Sequence, residues 1–250
     1  NTLSWSSVRM VKLNWAYVRV CRVDLSMAER DVPLPQNTRG TRAMIGKVLL
    51  RAAFGVLIAA QAWAIEEGIE YTELAKPQAT ESGDKVEVIE FFSYGCPHCA
   101  DLEPHLREWA GGVDTGKVEL VKVPVAWNRG MESFARVYYA ADMLDASDEA
   151  HAAMFDLLHG DKPQQLTLPI IADTFAQHGV DKDAFLREFE SEAVTQKVRQ
   201  AQEMTRRYRV SGVPVLIVDG FYTVGIPGNG DFDRMFAITD YLVEQAAEGS

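Results

Sequence analysis

The cysteine pair in Cys96-Pro97-His98-Cys99 is the feature that most restricts what this chain can fold into. It follows an apolar, β-branched and aromatic run, Val86–Ser93, and precedes a helix-like run, Ala100–Ala110. The first run predicts a strand buried on both faces, and Pro97 suits the first turn of a helix, where its missing N–H costs nothing. We therefore expect two thiols one turn apart at the start of a helix, where they can form a disulfide.

This position predicts different roles for the two thiols. Free N–H groups and the helix dipole favour the thiolate of an exposed Cys96, whereas Cys99 lies one turn further in and should be buried. His98 lies between them and can supply a positive charge or a hydrogen bond to the Cys96 sulfur. Because a stabilised thiolate favours the dithiol form, the disulfide should be oxidising and readily passed on, with Cys96 as the nucleophile.

The rest of the chain predicts an α/β fold in which helices separate two parts of a sheet. Lys117–Val125 is a second buried strand, and a right-handed crossover makes it parallel to the first. Pro104 should kink the intervening helix, since it removes one backbone hydrogen bond. The other predicted elements are an extended arm at 65–80, helices within 130–209, a hairpin at 213–219 and 221–224, and a terminal helix from Asp231 to about Ala247.

Charge is unevenly distributed along the chain. Residues 1–64 carry nine Lys or Arg against three acidic residues, a net charge of +6, so residues 65–250 contribute −17 to the formal total of −11. Binding to nucleic acid requires clustered Lys and Arg that release counterions from the phosphates. The acidic character of residues 65–250 therefore argues against nucleic acid as a partner.

Residues 44–64 have the three-part pattern of a secretory signal peptide. Lys47 and Arg51 precede the apolar run Ala52–Ala60, and small residues lead to Ala64. This run is shorter than the roughly 20 residues of a transmembrane span, and acidic residues follow it. We predict cleavage after Ala64, with an uncleaved anchor or a buried core helix as the alternative.

Residues 1–43 show no sustained hydrophobic period. We interpret them as untemplated upstream sequence before a true start at Met44; the alternative is an unusual targeting extension. Trimming at either position removes Cys21 and leaves Cys96 and Cys99. An exported chain with one close pair of cysteines has no long-range disulfide framework, so the pair is expected to be catalytic.

Residues Glu90–Cys99, with the dipeptide Pro97-His98 between the cysteines, resemble the DsbA family of periplasmic disulfide oxidases in the thioredoxin superfamily. Ser211-Gly212-Val213-Pro214 is similar to the cis-proline loop that faces the active site in this family. The helical insertion is a third similarity, because plain thioredoxins lack it. The resemblance covers essentially 65–250 and implies a thioredoxin fold with an inserted helical subdomain, divided into 65–129, the insertion at 130–190, and 191–250.

The same resemblance implies roles for residues outside the motif. Glu90 and Lys122 should form a pair beneath the disulfide, because a buried carboxylate is costly unless it is paired; Glu90 would relay protons for Cys99. The alternative is a surface salt bridge at a strand edge. A cis Val213–Pro214 bond would leave backbone groups free to pair with an extended substrate, whereas an ordinary trans proline would only open the next strand.

The resemblance also implies the activity and the partners. The chain would donate the Cys96–Cys99 disulfide to reduced exported proteins through a mixed disulfide on Cys96. A quinone-linked membrane partner, DsbB, would reoxidise it in the periplasm. We expect a monomer that needs no cofactor or metal beyond its own redox-active disulfide.

Two other functions remain open from the residues. A disulfide isomerase or reductase could use the same fold, although the chain leaves no room for an added dimerisation domain. A carrier of a soft metal such as Cu(I) or Zn²⁺ could use both thiols and His98, although three ligands are too few for a closed zinc site.

Two further features are interpreted more simply. The other histidines, on predicted helices and without partners at metal-ligand spacing, are expected to face solvent or to cap helices; they are His105, His151, His159 and His178. Gly95 stands where related oxidases carry a larger residue. We expect it to open the rim of the site beside Cys96.

Overall fold

The computed structural model describes residues 65–160, 166–228 and 230–249. These residues belong to one compact unit. The predicted upstream segment (1–43) and signal peptide (44–64) lie outside the described residues. Within the described ranges, no helix is both long and apolar enough to cross a membrane.

A mixed sheet forms the centre of the unit. Its strands are β1 (Thr72–Glu73), β2 (Val86–Phe92), β3 (Val118–Pro124), β4 (Val215–Val218) and β5 (Tyr222–Gly225). They lie in the order β1-β5-β4-β2-β3, so β2 is internal. β2 and β3 are parallel and β4 and β5 form an antiparallel hairpin, and both pairings agree with the sequence prediction.

Seven helices accompany the sheet in the described residues. Five of them lie between β3 and β4, as the predicted insertion requires, and the interval between α4 and α5 includes a turn of two residues, His178 and Gly179, before the Asp181 cap. The helices are α1 (Pro97–Gly112), α2 (Arg129–Asp142), α3 (Asp148–His159), α4 (Leu168–Gln177), α5 (Lys182–Phe189), α6 (Glu192–Arg207) and α7 (Phe232–Gly249).

Side chains at the helix starts explain several of these boundaries. Ser147, Asp181 and Ser191 each accept a hydrogen bond from a backbone N–H in the first turn of α3, α5 and α6. Such a cap satisfies one of the free donors of a helix start and stabilises it by about 1 kcal/mol. Thr167 stands at the cap position of α4 but makes no such bond. Pro104 lies inside a continuous α1.

Strand β2 divides the core into two layers because successive side chains point to opposite faces. Val86 and Val88 pack with Leu102 of α1 and with residues of α7. Ile89 and Phe91 pack on the other face with the inserted helices. Burying each such side chain contributes about 1.5–3 kcal/mol, so the sheet is fixed in place between the two helical layers. Glu90, on the face of Val86 and Val88, is directed toward α1.

The N-terminal arm contains a strand that the sequence did not reveal. β1 has two residues and pairs with β5, with Thr72 opposite Thr223. The arm then passes close to Gly220, whose φ is +64° and where an added Cβ would lie 2.2 Å from the Gln78 carbonyl oxygen. A two-residue strand shows no periodicity, and this explains why it was missed.

Candidate active site

The two cysteines lie where β2 leads into α1. Cys96 is the N-cap residue of this helix and Pro97 opens its first turn. Cys96 is half-buried and Cys99 is fully buried, and both are free thiols. The expected difference in exposure between the two thiols is therefore present, although Cys96 is less open than the sequence suggested.

The surroundings of Cys96 favour its thiolate. The pKa of Cys96 is lowered to about 6, first by a hydrogen bond with the Cys99 thiol and then by the backbone N–H groups of Cys99 and His98. Partial burial opposes this change. The same hydrogen bond and burial raise the pKa of Cys99 strongly. At neutral pH the reduced pair therefore holds one proton, and it is on Cys99.

The His98 side chain has a smaller effect than the sequence suggested. Its charge is the weakest of the influences that lower the pKa of Cys96. The ring is exposed, and its Nδ1 lies 3.6 Å from the Asp101 carboxylate. His98 therefore acts on the sulfur mainly through its backbone N–H. Its imidazole lies beside the Asp101 carboxylate instead.

The loop before β4 meets the cysteine motif. The Val213–Pro214 peptide bond is cis, which confirms the sequence prediction. In its protonated form the Cys96 thiol donates to the Val213 carbonyl oxygen, with 3.4 Å between sulfur and oxygen. Pro214 is buried while Val213 is partly exposed. Backbone groups of this loop thus border the reacting sulfur.

Lys122 has a closer partner than the sequence predicted. The register of β2 and β3 sets Glu90 opposite Lys122, but Lys122 Nζ is 4.0 Å from Glu90 Oε2 and makes no hydrogen bond to it. The ammonium instead donates to Glu103 Oε2 on α1, at 2.8 Å. All three side chains are largely buried, so the alternative of a surface salt bridge is wrong.

Glu90 is left with little compensation for its charge. Its side chain is fully buried, and neither carboxyl oxygen receives a hydrogen bond from the described part of the protein. Burial raises the pKa of Glu90 to about 7, against the attraction of Lys122 and with the support of the Glu103 charge. Glu90 therefore exchanges a proton near neutral pH, and its charge in turn raises the pKa of Cys99.

Two histidines of α3 contact the segment before the motif; the buried His151 departs from the simple interpretation, whereas His159 is exposed, as expected. His151 is buried; its Nδ1 lies 2.7 Å from the Tyr94 hydroxyl and its Nε2 lies 3.4 Å from Glu103 Oε2. His159 Nε2 lies 2.7 Å from the Tyr94 carbonyl oxygen. The only sequence signal is their spacing of eight residues, which sets both on one helix face.

The rim beside Cys96 is not open at Gly95. A Cβ added there would lie 2.9 Å from Cε2 of Phe134, a partly buried residue of α2. The aromatic ring of Phe134 therefore occupies the space that a larger residue at this position would fill. The expectation of an opened rim is wrong, because a side chain from the insertion replaces the missing one.

The remaining histidines fit the simple interpretation. His178 is the C-cap residue of α4. The His105 ring packs on Phe232, with 4.9 Å between ring centroids. Across the residues described, no three or more His, Cys, Asp or Glu side chains converge as a possible metal site.

Comparison with known sequences gives a consistent result. The family model described as Thioredoxin matches residues 81–227. The thiol:disulfide interchange protein DsbA of Azotobacter vinelandii is 33% identical over 181 residues, which cover 72% of this chain and 84% of that protein. The protein of the same name from Pseudomonas syringae pv. tomato is 31% identical over 202 residues, 81% of this chain and 94% of that one.

Solved structures support the same grouping. The crystal structure of Pseudomonas aeruginosa DsbA superposes with a TM-score of 0.68 at 29% identity, covering 74% of this chain and 96% of that one. The oxidoreductase DsbA from Xylella fastidiosa gives a TM-score of 0.65 at 30% identity, covering 73% and 97%. These similarities confirm the predicted thioredoxin-like fold with inserted helices.

Proposed function

The chain belongs to the DsbA family of thiol:disulfide oxidoreductases, in the thioredoxin superfamily, and we propose that it oxidises reduced exported polypeptides with a disulfide between Cys96 and Cys99. The observation that supports this most is the contrast between the two thiols. Cys96 borders the surface with a pKa of about 6, whereas Cys99 is buried and holds its proton. A thiolate this stable makes the dithiol form favourable, and the disulfide a good oxidant.

In the first step a substrate thiolate attacks the Cys96 sulfur. A bond forms between the substrate sulfur and Cys96, and the Cys96–Cys99 bond breaks with its electron pair on Cys99. The pKa of Cys99 is strongly raised, so this leaving thiolate takes up a proton at once. The half-buried position of Cys96 and the full burial of Cys99 direct the attack to Cys96.

In the second step another substrate thiolate attacks the substrate sulfur of the mixed disulfide. Cys96 leaves as a thiolate, which its lowered pKa stabilises. The substrate has lost two electrons and two protons and has gained a disulfide. The protein has gained both electrons and one proton, on Cys99, and the other proton is released to solvent.

Glu90 is the group that supplies the Cys99 proton in this scheme. A carboxyl with a pKa of about 7 is protonated in a large fraction of molecules at neutral pH. Proton transfer to the Cys99 thiolate leaves a Glu90 carboxylate, which Lys122 partly compensates at 4.0 Å until Glu90 takes up one of the two protons that the substrate has lost. In the reverse direction, Glu90 accepts the Cys99 proton when the pair is reoxidised.

Substrate binding would use the loop that carries Pro214. The Val213 backbone lies beside the reacting sulfur, where an extended peptide could pair with it as an added strand. A separate cleft lies next to His98; Pro104 and Phe232 contribute to its walls. An extended, unfolded substrate fits this arrangement better than a folded one.

The cellular setting is part of the same proposal. A signal peptide cleaved after Ala64 would deliver the chain to the periplasm as a monomer. A DsbB-like membrane protein linked to quinone would reoxidise Cys96 and Cys99, with no cofactor bound by the chain itself. N-terminal sequencing of the exported protein tests the cleavage site, and a start elsewhere would contradict it.

A trapping experiment tests the assigned roles. The Cys99→Ser variant keeps the proposed nucleophile and removes the thiol that would displace a substrate. Incubated with polypeptides bearing an activated disulfide, it should accumulate a mixed disulfide on Cys96, whereas the matched Cys96→Ser variant should not. Equal trapping by both variants would contradict the assignment of Cys96.

A further inference from the structure

The buried groups beneath the motif do not balance in charge. Glu90 and Glu103 face a single cation, Lys122. If both carboxyl groups were ionised, the buried cluster would carry one uncompensated negative charge, which is costly away from water. The cluster of Glu90, Glu103 and Lys122 therefore retains one proton near neutral pH, shared between two coupled carboxyl groups. Which of them carries it decides whether it can reach Cys99.

Hydrogen bonding around the two carboxyl groups is unequal. Glu103 Oε2 accepts a hydrogen bond from Lys122 at 2.8 Å and has His151 Nε2 at 3.4 Å. Glu90 has Lys122 only at 4.0 Å and accepts no hydrogen bond from the described residues. Donors that approach a carboxyl group favour its ionised form. The proton therefore belongs on Glu90.

The contacts of His151 determine which of its two ring nitrogens carries the hydrogen of the neutral imidazole. Its Nδ1 lies 2.7 Å from the Tyr94 hydroxyl, and burial keeps that hydroxyl protonated, since the pKa of Tyr94 is raised well above its usual value. A hydroxyl that donates to Nδ1 leaves the hydrogen of a neutral imidazole on Nε2. That hydrogen is then on the nitrogen nearest Glu103 Oε2, which lies 3.4 Å away, close enough for the N–H dipole to act on the carboxylate but outside hydrogen-bond geometry.

We propose that His151 is a positioning residue that keeps the shared proton of the buried cluster on Glu90, by supporting Glu103 as the charged partner of Lys122. The inference rests on the proposed proton relay through Glu90. It gives one of the inserted helices a function. Helix α3 places His151 beneath the motif, where this side chain determines which carboxyl group exchanges a proton with Cys99.

His151 does this in its neutral form. The charged and titratable groups that act on it are Glu103 of α1, Lys122 of β3 and Asp148 of its own helix, and the Tyr94 hydroxyl contacts its other nitrogen. Tyr138 of α2 adds a ring at 5.6 Å between centroids. Burial is the largest influence and lowers the pKa of His151, so the side chain remains an uncharged donor at neutral pH.

NMR of the glutamate carboxyl carbons tests the proposal on the reduced mature chain. Glu90→Gln and Glu103→Gln assign the two resonances. In the unsubstituted protein, only Glu90 should titrate near neutral pH. In His151→Phe, Glu103 loses the Nε2–H dipole beside its carboxylate, whose contribution is at most about one pKa unit. Its share of the proton should then rise by up to about tenfold, and its resonance should titrate over the same pH range as that of Glu90.

Two further variants complete the test. His151→Gln retains an N–H donor and should restore the titration of Glu90 alone. Tyr94→Phe removes the hydroxyl that fixes the tautomer, so Glu103 should titrate there too, and this variant carries the test if His151→Phe does not fold. A Glu103 resonance that stays silent in folded His151→Phe, or in Tyr94→Phe if His151→Phe does not fold, would overturn the proposal.

The outcome is independent of the proposed activity. The titrations report where the proton resides whether or not the chain oxidises polypeptides. If the trapping experiment fails but the proton moves to Glu103 in His151→Phe, the relay function is wrong and the positioning role of His151 stands. If trapping succeeds and the titrations do not change, only the role of His151 is wrong.

Discussion

The Cys96 sulfur lies 3.4 Å from the Val213 carbonyl oxygen, although 117 residues separate the two in sequence. The contact joins the start of α1 to the loop before β4, and all the inserted helices lie between them in the chain. A substrate that reaches the sulfur must therefore meet the backbone of this loop. The reactive centre is formed by both parts of the thioredoxin domain.

The stability of the reduced protein should depend on the Cys96 thiolate. Its pKa is lowered from 9.0 to about 6 in the folded state, so the resulting stabilisation is complete above the unfolded pKa and is lost as the pH falls through about 6. Urea unfolding of the reduced protein should therefore shift to higher midpoints as the pH rises from about 6 to 9. Reduced Cys96→Ser should lack this rise; an equal rise in both would contradict the assignment.

Replacing Glu90 should slow the oxidation of substrate. Glu90→Gln removes the group that gives Cys99 its proton, and general acid–base groups contribute about a hundredfold or more where proton transfer limits the rate. We expect a clear loss in the rate of disulfide transfer to a reduced peptide. The inflection of the rate near pH 7, set by the pKa of Glu90, should disappear.

Glu87→Gln is the matched control for this prediction. Glu87 is a buried acid of the same strand on the opposite face, and its carboxylate accepts hydrogen bonds from Glu81 N–H and the Ser82 hydroxyl. Its replacement should leave the pH profile of transfer unchanged. An unchanged rate and profile in Glu90→Gln would remove the relay role.

Removing the buried cation should strongly destabilise the fold. Lys122→Met leaves Glu90 and Glu103 buried without their shared partner, which should lower the free energy of unfolding by about 3–5 kcal/mol at neutral pH. The control is Lys85→Met, whose exposed pair with Glu119 at 3.4 Å should contribute at most about 1 kcal/mol. Similar losses in both, measured by urea unfolding, would contradict the central role of Lys122.

Gly95 and Phe134 should behave as a coupled pair. Gly95→Ala brings a Cβ to 2.9 Å from the Phe134 ring, so it should cost about 1 kcal/mol of stability. In a Phe134→Ala background the same change should cost less, because the ring is absent. A double-mutant cycle measures the coupling; additive effects would show that the ring moves away freely.

The sequence predicted the features that short-range chemistry determines. The apolar run before Cys96 and Pro97 after it were sufficient to predict a strand followed by a helix start, with one thiol buried. The cis bond at Val213–Pro214 was predicted only through the family resemblance, since one proline in a chain does not reveal its isomer.

The partners of the buried charges could not be predicted from the sequence. Strand register sets Glu90 opposite Lys122, but Glu103 competes for the same ammonium from a helix whose packing the sequence does not specify. His151 reaches this cluster only because α3 packs beside α1. On a helix, a buried histidine and a solvent-facing one can have the same sequence pattern. Only the packing of the folded chain distinguishes them.

The equilibrium between the Cys96–Cys99 pair and glutathione tests the central claim most directly. The reduced and disulfide forms of the mature protein should be quantified at fixed ratios of reduced to oxidised glutathione at neutral pH. Stabilisation of the Cys96 thiolate predicts a strongly oxidising pair, largely reduced at ratios that leave thioredoxin oxidised. A pair that remains a disulfide at those ratios, as thioredoxin does, would contradict the account.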